Sequence, residues 1–412
     1  MHTLVTFLGR ADREAMKKHG GYRRADYRFP DGTVRTQAFF GIALKEHLIA
    51  HGGVDRMLIL GTSSSMWSVL IEHLATGDEA EAQRIALLDR EGNDGVDAAT
   101  LQALEPLVCS KLGVEVRLRL IDRAADSTGQ QRILQTVAAE VADGTVSIDV
   151  THGFRHLAMI GLVSAQMLMR ARGLQLAGLW YGALEMSDPE TRHTPVLRLD
   201  GLVAIQRWVE AIAAFDASGD YALFAPLFQA EGAPASTARL LETAADHEHQ
   251  LNVSGARQSL NTFLQQLPSP WPGAAGLFET RLRRRLDWIR QSRLDEQQYA
   301  LAERALDRRD SLRAALLLRE GLITAYCLQN RLIAERYEDR EIATRELEQD
   351  LDEGLWTREV RDAIRDLRQI RNALAHGARP NNPRIQQLLS SRKTLLEALR
   401  RILQQLRVQQ IR

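Results

Sequence analysis

Cysteine is nearly missing from this 412-residue chain: Cys109 and Cys327 stand far apart, with no CxxC spacing and no histidine-rich companion. That scarcity argues against a disulfide framework and against a structural zinc site, and it suits a reducing compartment. An excess of either charge is also missing, because 53 basic and 53 acidic residues cancel. Overall charge therefore gives no attraction to nucleic acid, and any RNA affinity has to come from a local patch. Long apolar runs are absent too. The N-terminal MHTLVTFLGRADRE holds a stretch of only about six apolar residues, too short for a secretory signal or a spanning helix. A cytoplasmic protein with no membrane partner is expected.

Several familiar motifs are lacking. Without GxGxxG or GxxxxGK[ST], nicotinamide dinucleotide binding and P-loop ATP hydrolysis are disfavoured. There is no repeat of 20–50 residues, no low-complexity tract and no helix-turn-helix with a basic second helix, which disfavours a DNA-binding regulator. What is present is a 45% hydrophobic and 26% charged composition, that of a globular protein long enough for two or three domains.

Up to about Asp200, short apolar runs at Leu4–Leu8, Met57–Leu60, Val114–Ile121, Val146–Val150 and Leu176–Tyr181 alternate with amphipathic segments such as Ala38–Ala50 and Gln130–Val141. Strands apolar at consecutive positions and separated by helices predict a parallel sheet covered on both faces, a Rossmann-like α/β domain. Beyond Asp200 the pattern is helical: Leu202–Ala214, Ser236–Asp246, Leu277–Arg293 and nearly everything from Glu296 onward. Pro268–Gly276, the sequence PSPWPGAAG, reads as a linker or an inter-helix loop. The expected class is α/β plus all-α, with domains at 1–200 and 276–412 and a connecting helical region at 201–275.

In doubly wound sheets ligands bind beyond the carboxyl ends of the strands. The first strand runs into Gly9 and Arg10, and the second into Gly61, Thr62, Ser63, Ser64 and Ser65 ahead of a helix that begins near Met66 and Trp67. Backbone N–H groups, hydroxyls and a helix dipole together suit a phosphate; N-capping accounts for only one of those hydroxyls. A later strand, Ser147–Val150, ends in Thr151, His152, Gly153, Phe154, Arg155 and His156 before an apolar helix, Leu157–Met169. Singly, these are turn residues and a surface imidazole. Together with the hydroxyl loop they outline an anion pocket in which Arg155 clamps phosphate through two donors.

A second constellation, Arg371, Asn372, Ala373, Leu374, Ala375 and His376, closes a helical run that begins near Thr357 and breaks at Gly377 and Pro380. Val360, Ile364, Leu367 and Leu374 form an apolar stripe with Arg371 among them, so its guanidinium should meet an acid or an interface with another subunit. His376, five residues on, stands about 140° around an ideal helix, whereas Asn372 and His376 share a face. Metal-free RNA cleavage needs a base for the 2′-hydroxyl proton, a cation at the phosphate and an acid for the leaving oxygen, and histidine with arginine supplies this set. A helix end also attracts both residues for dipole reasons alone. Two copies facing across a two-fold axis would double the catalytic groups, so a homodimer or a higher homo-oligomer is expected. Arg281–Arg293, with Arg283, Arg284 and Arg285 in succession, is either an RNA track or a solvated face paired with acids.

These residues resemble the CRISPR-associated CARF–HEPN ribonucleases of type III systems over essentially the whole chain. RNALAH at Arg371–His376 fits the HEPN signature, and DVTHGFRH at Asp149–His156, with GTSSSMW at Gly61–Trp67 and LWYGALE at Leu179–Glu185, resembles the Thr-His-Gly-Phe-Arg subgroup. The resemblance implies a CARF domain that binds cyclic oligoadenylate, tetra-adenylate ahead of hexa-adenylate, through Gly9, Arg10, Gly61–Ser65 and Thr151–Arg155 at a dimer interface. It implies a HEPN domain in which Arg371 and His376, supported by Asn372, cut single-stranded RNA without metal, leaving 2′,3′-cyclic phosphate and 5′-hydroxyl ends. By the same resemblance Glu320 orients Arg371, and the hydroxyl loop slowly cuts the activator. No other cofactor and no metal is expected. The rival readings are a non-catalytic nucleotide-sensing dimer and a nucleotide hydrolase acting in the Thr151–Arg155 pocket.

Overall fold

The computed structural model describes residues 1–10, 21–72, 78–93, 95–141 and 143–409, and divides into two compact units, Met1–Val203 and Ala204–Arg412.

The first unit is built on eight strands: β1 (His2–Leu8), β2 (Ala25–Arg28), β3 (Val34–Gln37), β4 (Arg56–Gly61), β5 (Glu115–Leu120), β6 (Thr145–Asp149), β7 (Gln175–Gly182) and β8 (His193–Arg198). Their order is β3-β2-β8-β7-β6-β1-β4-β5. Strands β7, β6, β1, β4 and β5 run parallel, as the apolar runs predict, whereas β8 lies antiparallel to β7 and β3 antiparallel to β2. The sheet is therefore mixed, and the expectation of a parallel one is corrected at one edge. There ADYR, VRTQ and HTPVLR form strands only half buried, without the continuous apolar run that betrays a central strand.

The helices of this unit are α1 (Phe40–Ala50), α2 (Val69–Glu72), α3 (Asp78–Gly92), α4 (Ala98–Leu112), α5 (Ser127–Glu140) and α6 (Arg155–Arg172), with α7 (Asp200–Ser218) leading out of it. Period-two alternation sorts the core. Leu4, Leu8, Met57 and Ile59 pack with α1 and α4 on one face, and Val5, Phe7, Leu58 and Leu60 pack with α5 and α6 on the other. Because β1 pairs with β4 on one side and β6 on the other, the chain changes winding direction between β1 and β6. That switch point is where such sheets open a crevice.

The second unit is helical among its described residues: α8 (Ala225–Ala230), α9 (Ala235–His249), α10 (Val253–Gln266), α11 (Ala275–Arg285), α12 (Leu294–Asp307), α13 (Ser311–Gln329), α14 (Tyr337–Glu353), α15 (Arg358–His376), α16 (Pro383–Leu389) and α17 (Arg392–Gln409). One core runs from Trp208 to Leu406, with α13 packed by α12, α14, α15 and α17. Pro268–Gly276 is an inter-helix loop whose Trp271 is buried against Phe228. The single helix expected over Leu277–Arg293 is broken at Leu286, because Trp288 turns inward and donates its indole N–H to the Tyr221 hydroxyl at 3.0 Å. Residues 410–412 of the expected C-terminal helical run lie outside the described residues. Among the described residues no helix is long and apolar enough to cross a membrane.

Candidate functional site

At the switch point a buried carboxylate organises the β6–α6 loop. Asp149 is fully buried, accepts the Thr6 hydroxyl at 2.6 Å and the Thr151 amide at 2.8 Å, and its pKa is pushed up to about 6, chiefly by desolvation. Thr151 in turn accepts the Gly182 amide through Oγ1 at 2.8 Å, tying β6 to the end of β7. His152 points inward: its Nε2 accepts the Phe40 amide at 3.1 Å, and its ring packs against Tyr22 and Phe39. Burial lowers its pKa to about 4, so the ring is neutral. His152, a surface imidazole when read alone and a pocket member when read with its neighbours, is a buried acceptor at the start of α1.

The β1 loop meets this one directly. A Cβ built on Gly9 would lie 2.5 Å from the Gly153 nitrogen, and Gly153 itself has φ +101°. Only glycine at both positions lets the two backbones approach so closely. The Gly9 amide donates to the Tyr22 hydroxyl at 2.9 Å, and burial holds that phenol well above its usual range.

The hydroxyl loop is largely spent on itself. Ser65 Oγ accepts the Thr62 amide at 2.8 Å and donates to Leu8 O at 2.7 Å, Thr62 Oγ1 lies 3.3 Å from Ser64 Oγ, and Trp67 Nε1 binds Thr62 O at 2.9 Å. Thr62, Ser64 and Ser65 are buried and Ser63 half buried. The helix expected at Met66 and Trp67 begins at Val69 and is described over Val69–Glu72. The groups turned outward around the crevice are Arg10, Gly153, Phe154 and Arg155, at the start of the 18-residue α6, whose N-cap Phe154 provides no side-chain cap. Its first N–H groups, with Arg155 on the same turn and Arg10 next to the Gly9 that touches Gly153, suit an anion. Thr6 and Tyr22 take part in this frame and were missed by sequence reasoning, whereas Gly182 lies within the LWYGALE segment. The one available signal was Thr6, a hydroxyl inside an apolar strand.

In the second unit α15 buries Val360, Ala363, Ile364, Leu367, Ile370 and Ala373, and ends at Gly377 in the left-handed region, φ +63°. Arg371 lies half buried at the border of this face rather than within it, and Leu374 is only half buried, so the helix rolls slightly from the expected stripe. No acid pairs with Arg371 among the described residues; its Nη1 donates to Asn372 Oδ1 at 2.8 Å. Asn372 and His376 are exposed on the face they share. Glu320 does not reach Arg371, because it pairs with Arg340. Glu348 bridges Arg319 at 3.3 Å and Arg368 at 2.5 Å. Burial, with Arg371 and Arg368 nearby, lowers the Arg319 pKa while Glu348 raises it.

The arginine run resolves toward the paired alternative. Arg281 and Arg285 both reach Asp216, at 3.0 and 2.6 Å, and Arg283 reaches Glu279 at 2.7 Å. Arg281, Arg284 and Arg285 border a cavity of about 650 Å³ that also holds Arg304, Arg308 and Arg407, with Asp216, Asp287, Glu303 and Asp307. The cavity is mixed in sign rather than a cationic track.

No family model matches the chain. Among curated proteins it is similar to CRISPR-associated protein MJ1674 of Methanocaldococcus jannaschii, at 24% identity over 250 aligned residues that take in 56% of this chain and 39% of that protein.

Proposed function

We propose that the chain is a CRISPR-associated endoribonuclease of the CARF–HEPN kind, in which the first unit binds cyclic oligoadenylate and the second cuts single-stranded RNA. The observation that carries this reading is the group at the end of α15. A guanidinium, a carboxamide and an imidazole sit within six residues on the last turns of a helix whose other face is locked in the core. The similarity to a CRISPR-associated protein supplies the setting.

The chemistry follows from these groups. The 2′-oxygen of the substrate attacks phosphorus as its proton passes to a His376 imidazole, and the P–O5′ bond breaks as a second imidazolium protonates the leaving oxygen. Arg371 stands by the equatorial oxygens, where charge develops. The products are a 2′,3′-cyclic phosphate and a 5′-hydroxyl, with no metal required. One His376 cannot serve both oxygens in one step, so two copies of the chain act together. Exposed Phe154, Met159 and Val163 on and beside α6 give the first unit an apolar face for such pairing. The activator binds at the Gly9 and Thr151–Arg155 loops beside that face. It raises cutting only through a higher affinity for the cutting-competent pairing.

The reading is tested by end-group analysis of the RNA products and by a substrate carrying a single 2′-deoxy nucleotide. Cyclic-phosphate ends, with cutting lost only at the deoxy position, are expected. Cutting that proceeds at the deoxy position rules the mechanism out.

A further inference from the structure

The turn between β2 and β3 and the end of α1 bring together three side chains that the nucleotide and RNA chemistry does not use. In the turn, Asp31 Oδ1 accepts the Thr33 amide at 2.9 Å and the Thr33 hydroxyl at 2.8 Å. Its other oxygen, Oδ2, faces two imidazoles, with His51 Nε2 at 3.0 Å and His47 Nδ1 at 3.8 Å. His47 and His51 are four apart at the C-terminal end of α1 and so share a face. One ligand atom from each of the three lies within 4.8 Å of the others. His47 is 6% exposed and stacked on Phe29, with ring centroids 3.9 Å apart and planes at 4°, which fixes its orientation.

The protons decide what this cluster is for. His51 Nδ1 lies 2.8 Å from the His47 carbonyl oxygen. A carbonyl can only accept, so Nδ1 carries the proton and, in the neutral ring, Nε2 is a lone pair. That lone pair looks straight at a carboxylate oxygen, acceptor against acceptor, unless a cation lies between them. A proton on His51 would serve one of the two contacts, and the Thr33 hydroxyl, 3.3 Å from His47 Nδ1, is the other ring's competing partner. A metal ion serves all three donors at once, and a histidine whose other ring nitrogen donates to a carbonyl is the usual support of a metal-bound imidazole.

We propose that Asp31 Oδ2, His47 Nδ1 and His51 Nε2 hold a divalent transition-metal cation, with water in the fourth position. Two imidazoles and one carboxylate match the borderline preferences of zinc, whose tetrahedral ligands at about 2.0–2.2 Å stand about 3.3–3.6 Å from one another, so the 3.0 and 3.8 Å separations from Asp31 Oδ2 need shifts of only a few tenths of an ångström. Asp31 and His51 are partly exposed and free to make them. The cysteine scarcity that argued against structural zinc says nothing about a site built from histidine and aspartate. The ion would pin the β2–β3 turn to α1, the helix whose first amide is held by His152. Its role is structural, separate from RNA cutting.

The test uses the full-length protein, dialysed against EDTA and then chelator-free buffer, titrated with zinc alone by calorimetry and followed by thermal melting. Wild type is expected to bind one equivalent of zinc per chain and to gain melting temperature. His51→Ala and Asp31→Asn, both at exposed positions, are expected to bind at least about tenfold more weakly and to lose the gain. Cobalt in place of zinc should give visible d–d absorption in wild type and not in the variants. Failure of wild type to bind one equivalent overturns the proposal, as do variants that bind like wild type. A melting temperature insensitive to zinc but lowered by His51→Ala also overturns it and identifies a proton as the cation at His51.

Discussion

Gly9 and Gly153 touch backbone to backbone, so a methyl group on Gly9 would stand 2.5 Å from the Gly153 nitrogen. The obstacle is main chain, which cannot swing aside as a side chain can. Gly9→Ala should therefore cost about 1–3 kcal/mol, as overpacking does, and should push the Thr151–Arg155 loop away from β1. Urea unfolding reads the first effect and cyclic oligoadenylate binding the second. Unchanged binding would separate these loops from the activator.

Asp149 and His152, three residues apart, make opposite demands on pH. Burial raises Asp149 to about 6, above its unfolded value, so its stabilising contribution is present at low pH and lost as pH rises through about 6. Burial lowers His152 to about 4, so its contribution is present above the unfolded value near 6.5 and lost as pH falls toward 4. Over that shared window the two slopes offset, and removing one partner exposes the other. Asp149→Asn should gain on wild type by roughly 2–3 kcal/mol between pH 4 and pH 7. His152→Gln should gain in the reverse direction. Urea melts at both pH values check the signs, and parallel shifts for the two variants would contradict the assignment.

Glu348 neutralises Arg319, which is 6% exposed. Glu348→Gln leaves that guanidinium buried without its counter-charge. The expected cost is roughly 2 kcal/mol, below the ~3–5 kcal/mol of a fully buried pair because Glu348 is itself a third exposed. Arg319→Met, which removes the charge instead of its partner, should be milder. Denaturant midpoints of the two variants, with m unchanged, decide it.

Five of the eight strands were legible from their apolar residues: β1, β4 and β6 are buried on both faces, whereas β5 alternates buried Val116 and Leu118 with half-buried arginines. Strands β2, β3 and β8 were not, because this end of the sheet, with β3 at its edge, is only half buried and keeps polar residues within its strands. The loops at Gly9 and Thr151 were legible from strand ends alone. That Thr62, Ser65 and His152 are consumed inside the fold was not, since hydrogen bonding to Leu8 and Phe40 depends on which strands become neighbours. The same holds for Asp31 with His47 and His51: only the β2–β3 turn folding onto α1 brings them together. Glu320 was misassigned because sequence spacing cannot choose between Arg340 and Arg371 as its partner.

Arg371, Asn372 and His376 lie on the border or outside of the core-facing side of α15, so their substitution should spare the fold. Arg371→Ala and His376→Ala should each lower RNA cutting by at least about 100-fold, the range of a lost charge-stabilising donor for the first and of a lost general acid–base group for the second. Asn372→Ala should fall between them and wild type, because it removes the oxygen that orients Arg371. Circular dichroism should leave all three superimposable on wild type.

The most direct measurement is cleavage of a fluorescent single-stranded RNA in EDTA, with and without cyclic tetra-adenylate, by wild type and His376→Ala. Cutting that the ligand stimulates, that the chelator leaves intact and that the variant lacks is the predicted result. Equal cutting by wild type and His376→Ala would contradict the account and move the catalytic groups away from the end of α15.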